Sequence, residues 1–260
     1  SAQLKINIMD INEAPILVQD QKRSVKENMP MDSFVGTALD YFEEDERQSH
    51  KWTITAGEWK SSWAINACDG QVRIKIPNID YEVKTTFVLS IWIEDSGVHG
   101  FDETMNFAKM SDYTTLTINV IDVNEAPVMK DLYFAVDENS PVGTKIGSPV
   151  SNVMFEEDNL NSSPGEPDWQ THKYEIGAGN DGNAFRMDSK TGQIYIRTQN
   201  GCLLDDDATR TSCATINYER RPKFLLFVKT TDTGINGDDM ATTTSLVTIS
   251  INDVNEAPSF

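Results

Sequence analysis

The chain carries 41 aspartates and glutamates against 22 lysines and arginines, and the positions of these acids suggest chemistry more than their number does. They fall in short clusters separated by apolar runs. Glu27 precedes Asn28 and Pro30, Phe42-Glu43-Glu44-Asp45 is a compact acidic turn, Asp80-Tyr81-Glu82 pairs two acids around an aromatic ring, Asp95 stands two residues before Gly97, and Asp122 through Pro127 reads Asp-Val-Asn-Glu-Ala-Pro. Oxygen atoms brought from many short segments are what a hard cation such as calcium requires, since it takes roughly 6–8 oxygen ligands in flexible geometry. Two carboxylates about 4 Å apart repel by about 4 kcal/mol at an effective dielectric near 20. Acids gathered in this way therefore predict a dependence on metal.

Other chemistries find little footing. Only His50, His99 and His172 are available as imidazole bases, and no His-Glu-x-x-His, Cys-x-x-Cys or Gly-x-Ser-x-Gly occurs, so no enzyme is expected. Gly177-Ala178-Gly179-Asn180-Asp181-Gly182 fits a dinucleotide pattern, but the residues after it read as strand rather than helix. Asp205-Asp206-Asp207 lacks the glycine and final glutamate of an EF-hand loop. A net charge of −19 repels nucleic acid and anionic lipid. No apolar run reaches membrane-spanning length, so the chain itself is expected to be soluble, within a larger secreted or membrane-anchored parent. Of three cysteines, Cys202 and Cys213 flank a short polar stretch and could clip it as a disulfide, leaving Cys68 as a small core residue. Asn161-Ser162-Ser163 is a glycosylation sequon.

The elements that position the acids are organised by an internal repeat. Asp10-Ile11-Asn12-Glu13-Ala14-Pro15 returns as Asp122-Val123-Asn124-Glu125-Ala126-Pro127 and as Asp253-Val254-Asn255-Glu256-Ala257-Pro258. Between these linkers further segments recur in order: Val25 to Pro30 with Val136 to Pro141, Phe42 to Asp45 with Phe155 to Asp158, His50 to Gly57 with His172 to Gly179, and Ile79 to Glu82 with Ile216 to Glu219. Brief runs read as strands: Phe87 to Ile93 and Phe224 to Val228 are the most apolar, and Leu116 to Ile121 and Leu246 to Ile251 alternate apolar with polar, with turn signals at Asp69-Gly70 and Thr191-Gly192. An all-β chain of two tandem seven-stranded Greek-key sandwiches follows, with residues 1–15 as a tail and linker, 16–127 as one repeat with its linker and 128–260 as the next. Insertions are expected between Asp158 and His172, after Thr198, and from Gly97 to Asp112.

Taken together, these motifs resemble the extracellular cadherin repeat over nearly the whole chain. The family pattern runs Glu-Asn-x-Pro, Asp-x-Asp, Asp-x-Glu, Ala-x-Asp-x-Gly and Asp-x-Asn-Asp-Asn-x-Pro, and a version of each is present in that order. The resemblance implies a calcium joint in which Glu27, Asp80 and Glu82 of the first repeat meet the side chains of Asn124 and Glu125 and the backbone carbonyls of Val123 and Ala126. The second repeat would add Glu157, Asp158 and Asn159, with the register open by one residue, and Asp232. Asn12, Glu13, Asp45 and Asp95 would form a half-joint at one end, and Glu138, Glu219, Asn255 and Glu256 another. Asn217 stands where the first repeat has Asp80, which predicts weaker calcium binding at the latter.

The implied function is calcium-dependent cell adhesion or mechanical tethering by an extracellular rod, with another cadherin or cell-surface protein as homophilic or heterophilic partner. A calcium-dependent carbohydrate- or receptor-binding sandwich is the alternative. An aromatic patch of Trp59, Trp63 and Trp169 away from the linkers would favour it.

Overall fold

A computed structural model of the chain describes residues 3–6, 11–45, 48–99, 102–166, 169–197, 216–235 and 239–257. It divides into two units, Ser1–Val123 and Asn124–Phe260. Cys202, Cys213 and Asp205-Asp206-Asp207 lie outside the described residues.

In the first unit the strand Thr86–Asp95 sits inside a four-stranded sheet, between Ser111–Ile121 and His50–Gly57, both antiparallel to it. Gln21–Lys26 closes the other edge and runs parallel to Ser111–Ile121. Burial alternates along the strands: Phe87, Leu89, Ile91 and Ile93 point inward, and Leu116, Ile118 and Val120, the apolar positions of the alternation read from the sequence, do the same on the neighbouring strand. They meet Trp63, Val72 and Ile74 from the pair Trp63–Ile65 and Val72–Ile74, which is extended by a bridge between Phe34 and Arg73. Two sheets with one apolar face each enclose one core.

The second unit repeats the plan. Leu132–Asp137, Thr242–Asn252, Lys223–Thr231 and Lys173–Ala178 form the four-stranded sheet in that order, again with the first pair parallel. Lys145–Ile146, Ile194–Ile196 and Phe185–Met187 form the facing sheet. Phe224, Leu226, Val228, Val247, Ile249 and Ile251 fill the space between. Among the described residues helical structure is confined to three 3-10 turns, Lys60–Ser62, Val150–Val153 and Asp181–Asn183.

Both repeats carry a bulge at one place, between Ile54 and Ala56 in the first and between Ile176 and Ala178 in the second. A glycine follows each, with φ of +135° at Gly57 and +82° at Gly179. At Gly179 a Cβ would lie 1.8 Å from the Leu225 carbonyl oxygen, so the close approach of two backbones admits only glycine.

The insertions resolve into local structure. Val98–His99 and Asp102–Asn106 form a hairpin, and the residues after Asp158 fold into successive turns in which Leu160 N–H reaches Glu157 O and Ser162 N–H reaches Asn159 O. Asn161 is exposed there. Cys68 departs from expectation: it is exposed rather than in the core. The turn between Trp63–Ile65 and Val72–Ile74 fixes it, because Asn66 Oδ1 accepts the Cys68 N–H and holds the residue at the tip.

Candidate metal centre

Each unit has a buried glutamate at the end of its first long strand, and each is held in the same way. Glu27 accepts the Tyr81 N–H at 2.6 Å and the Val123 N–H at 2.8 Å. Glu138 accepts the Tyr218 and Val254 N–H groups, both at 2.8 Å. Both glutamates are 2% exposed. With one oxygen tied to the Asp/Asn-Tyr-Glu turn and the other to the following linker, each carboxylate fastens those two segments together.

The electrostatics differ. Burial pushes the Glu27 carboxyl up from its ordinary value of 4.5, and the Asp122 and Asp80 carboxylates add to this against the two amides. Glu138 is held below 4.5 by the Val254 and Tyr218 amides. It is out of contact with solvent yet lies close beneath the surface, so desolvation weighs less than the amides do. Asn217 also removes the charge that Asp80 places beside Glu27, while keeping the turn: Asp80 Oδ1 accepts the Val83 N–H at 2.8 Å and Asn217 Oδ1 the Arg220 N–H at 2.7 Å.

Acids then converge. Glu27, Asp80 and Glu82 offer oxygens within 4.8 Å of one another, as do Glu138, Glu219 and Asp253. Glu256 Oε1 accepts from Asn139 Nδ2 at 2.7 Å, and Asn255 is exposed beside it.

The opposite end of each unit is built from its preceding linker. Strand alternation continues one step past the apolar run and turns Asp95 and Asp232 inward, each 2% exposed. Asp95 Oδ1 accepts the Gly97 and Met110 N–H groups, and Asp232 Oδ1 accepts those of Gly234 and Ala241. Their Oδ2 atoms face the linker asparagines, receiving Asn12 Nδ2 at 3.1 Å and Asn124 Nδ2 at 3.3 Å. Asp45 Oδ2 accepts the Glu13 N–H at 3.0 Å, and Asp158 Oδ2 accepts the Glu125 N–H at 3.3 Å.

This places Asp158 as the counterpart of Asp45. Glu157 caps a turn with its carbonyl, and Asn159 gives both ends of its amide to Gln170, Nδ2 to the carbonyl at 3.0 Å and Oδ1 from the N–H at 2.7 Å. The first glutamate of each acidic turn points elsewhere: Glu43 Oε2 lies 2.7 Å from His50 Nε2, and Glu156 Oε2 lies 2.6 Å from His172 Nε2. Ala126 is exposed, and Val123 is half-buried where its N–H meets Glu27.

The residues present suit a hard cation. Donors are almost all carboxylate or amide oxygens, and Gln170 Oε1 and Glu156 Oε1 are buried without a hydrogen-bond partner among the described residues. The Gln170 amide touches Asp158 and Asn124, so one such buried acceptor lies among the oxygens that an ion would gather.

The doubled sandwich has counterparts. Human Protocadherin-24 EC1-2 superposes with a TM-score of 0.60 at 17% identity, covering 94% of this chain and 100% of that one. Mouse Cadherin-23 EC22-24 does so with a TM-score of 0.52 at 19% identity, covering 95% of this chain and 67% of that one. In sequence the chain is 25% identical to human Protocadherin Fat 4 over 255 residues and 28% identical to the Drosophila melanogaster Protocadherin-like wing polarity protein stan over 268. These alignments cover 97% and 100% of the chain. In sequence and fold the chain is similar to a tandem pair of extracellular cadherin repeats. It spans only 4% and 6% of the length of those two relatives. No protein-family model matches it.

Some residues of these clusters escaped the motif reading. Asp122 and Asp253 open the linkers and their carboxylates join the clusters, Asp122 beside Glu27 and Glu82, Asp253 beside Glu138 and Glu219. Their recurrence at the head of every linker was the available signal. Gln48 and Gln170 were also missed. Each precedes by two residues the histidine that opens an aligned segment, but a glutamine there carries no ligand signature of its own. Trp59 and Trp63 both pack on Phe87, Trp63 buried in the core of the first repeat and Trp59 exposed at its edge.

Proposed function

We propose that this chain is a calcium-stiffened length of a cell-surface adhesion or tethering protein. One observation supports the reading above all. The chain passes from one unit to the other between Val123 and Asn124, and each unit grips its own side of that peptide bond with acids: Glu27 holds the Val123 N–H, while Asp158 holds the Glu125 N–H.

Glu27, Asp80, Glu82 and Asp122 would present carboxylates from the first repeat. Asn124, Glu125, Asp158 and Asp232, with the carbonyls of Val123 and Ala126, would complete the set from the linker and the second repeat. Bound calcium neutralises these charges and restricts the linker. The protein's own residues supply the rest, since the amide-held oxygens of Glu27 and Asp232 are fixed before any ion arrives.

Such a rod transmits force and sets the spacing of a binding face. Its partner is then another cadherin or cell-surface protein, and the role is adhesive rather than catalytic. Amide nitrogen NMR relaxation tests the stiffening. The two repeats should share one rotational correlation time with calcium and show shorter, independent values with chelator. Equal relaxation in both conditions would refute the proposal.

A further inference from the structure

Gln170 occupies the place where a cation is favoured. Its Nε2 donates to Asn124 Oδ1 at 2.7 Å and to Asp158 Oδ2 at 2.5 Å, so a single amide NH2 group bridges the linker asparagine and the loop aspartate. The residue is 2% exposed, and this orientation leaves Oε1 buried without a partner among the described residues. Turning the amide over would set its oxygen against two acceptor oxygens. The local field therefore selects the positive end of the amide dipole even at the cost of an unsatisfied carbonyl. Gln48 makes the same bridge in the first repeat, with Nε2 donating to Asn12 Oδ1 and to Asp45 Oδ2.

We propose that Gln170, with Gln48 as its counterpart, is a positioning residue that stands in for calcium in the ion-free repeat. It tethers the linker to the acidic turn and gives way when an ion enters. The proposal rests on the calcium reading above and adds a device to it: the ion-free half-site is held together by a neutral donor. The two glutamines differ in how firmly they are set. Gln48 Oε1 accepts Ser96 Oγ at 3.1 Å and the Gly97 N–H at 3.0 Å, so both ends of its amide are clamped. Gln170 has its oxygen uncommitted and is displaced more readily.

Thermal unfolding of the whole chain, in EGTA and in saturating calcium chloride, tests this with Gln170→Ala and Gln170→Glu. Gln170→Ala should lower the ion-free melting temperature by several degrees and leave the calcium-saturated value unchanged, widening the calcium-induced shift. Gln170→Glu should widen it further, because a carboxylate repels Asp158 without the ion and ligates with it. An equal loss in both conditions would mean that Gln170 is only a packing residue, and no loss in EGTA would mean that it tethers nothing. Either result overturns the proposal. A wild-type chain with no calcium-induced shift would instead overturn the calcium reading on which it rests.

Discussion

Glu27 and Glu138 share one hydrogen-bonded frame, yet Glu27 is pushed above 4.5 by burial and by Asp122 and Asp80, while Glu138 is held below 4.5 by its amides. The linkage signs are opposite. In chelator, the contribution of Glu27 is fully present below pH 4.5 and is lost as pH rises through its elevated folded value, so at neutral pH it works against the ion-free fold. Glu138 contributes above pH 4.5, and this is lost as pH falls through its depressed folded value. The neighbour that differs between the two frames is Asp80 against Asn217. Asn217→Asp preserves the turn to the Arg220 N–H and adds a charge. Carboxyl carbon NMR titration in chelator should then show Glu138 moving up in pKa. An unchanged value would mean that Asn217 is not what separates the two glutamates. Asparagine in place of aspartate at this position was legible from the sequence, but its electrostatic consequence required knowing which carboxylate lay beside it.

The elements were the most legible part of the chain, for a physical reason. A strand with one buried face must alternate, and Leu116 to Val120 do so in residue type as they do in burial. Turns with long-range roles were less so. Cys68 looked like a core residue by type, but an asparagine two positions earlier captures its N–H and places it at a turn. Gly179 marks a bulge only once Leu225 is known to lie against it. Gly179→Ala combines a left-handed φ, which costs roughly 1–2 kcal/mol, with a backbone clash, so a loss above about 3 kcal/mol is expected in denaturant unfolding. Gly143→Ala is the control: φ there is +83° but no atom lies within 4 Å of the added Cβ, and the loss should stay near 1–2 kcal/mol. Equal losses would mean that the bulge can relax and that the close approach is not a constraint.

For the molecule as a whole, a charge of −19 is tolerable because the acids have assigned places. In each unit some are fixed by backbone amides at the ends of strands, and the linkers between Asp10 and Pro15, Asp122 and Pro127, and Asp253 and Pro258 bring more to those same ends. The acidic segments and their order could be read from the repeat. The helpers that prepare them, Gln48 and Gln170 above all, could not, because a glutamine between an acidic turn and a strand has no distinctive signature until its amide is seen to bridge two oxygens. The central claim is that calcium binds where Val123 joins Asn124. A calorimetric titration of calcium into the whole chain, repeated on the double variant Glu82→Gln with Asp158→Asn, tests it most directly. The account predicts saturable binding with Kd at or below roughly 10⁻³ M, and loss of that binding class in the double variant. No saturable heat, or identical isotherms for the two proteins, would contradict it.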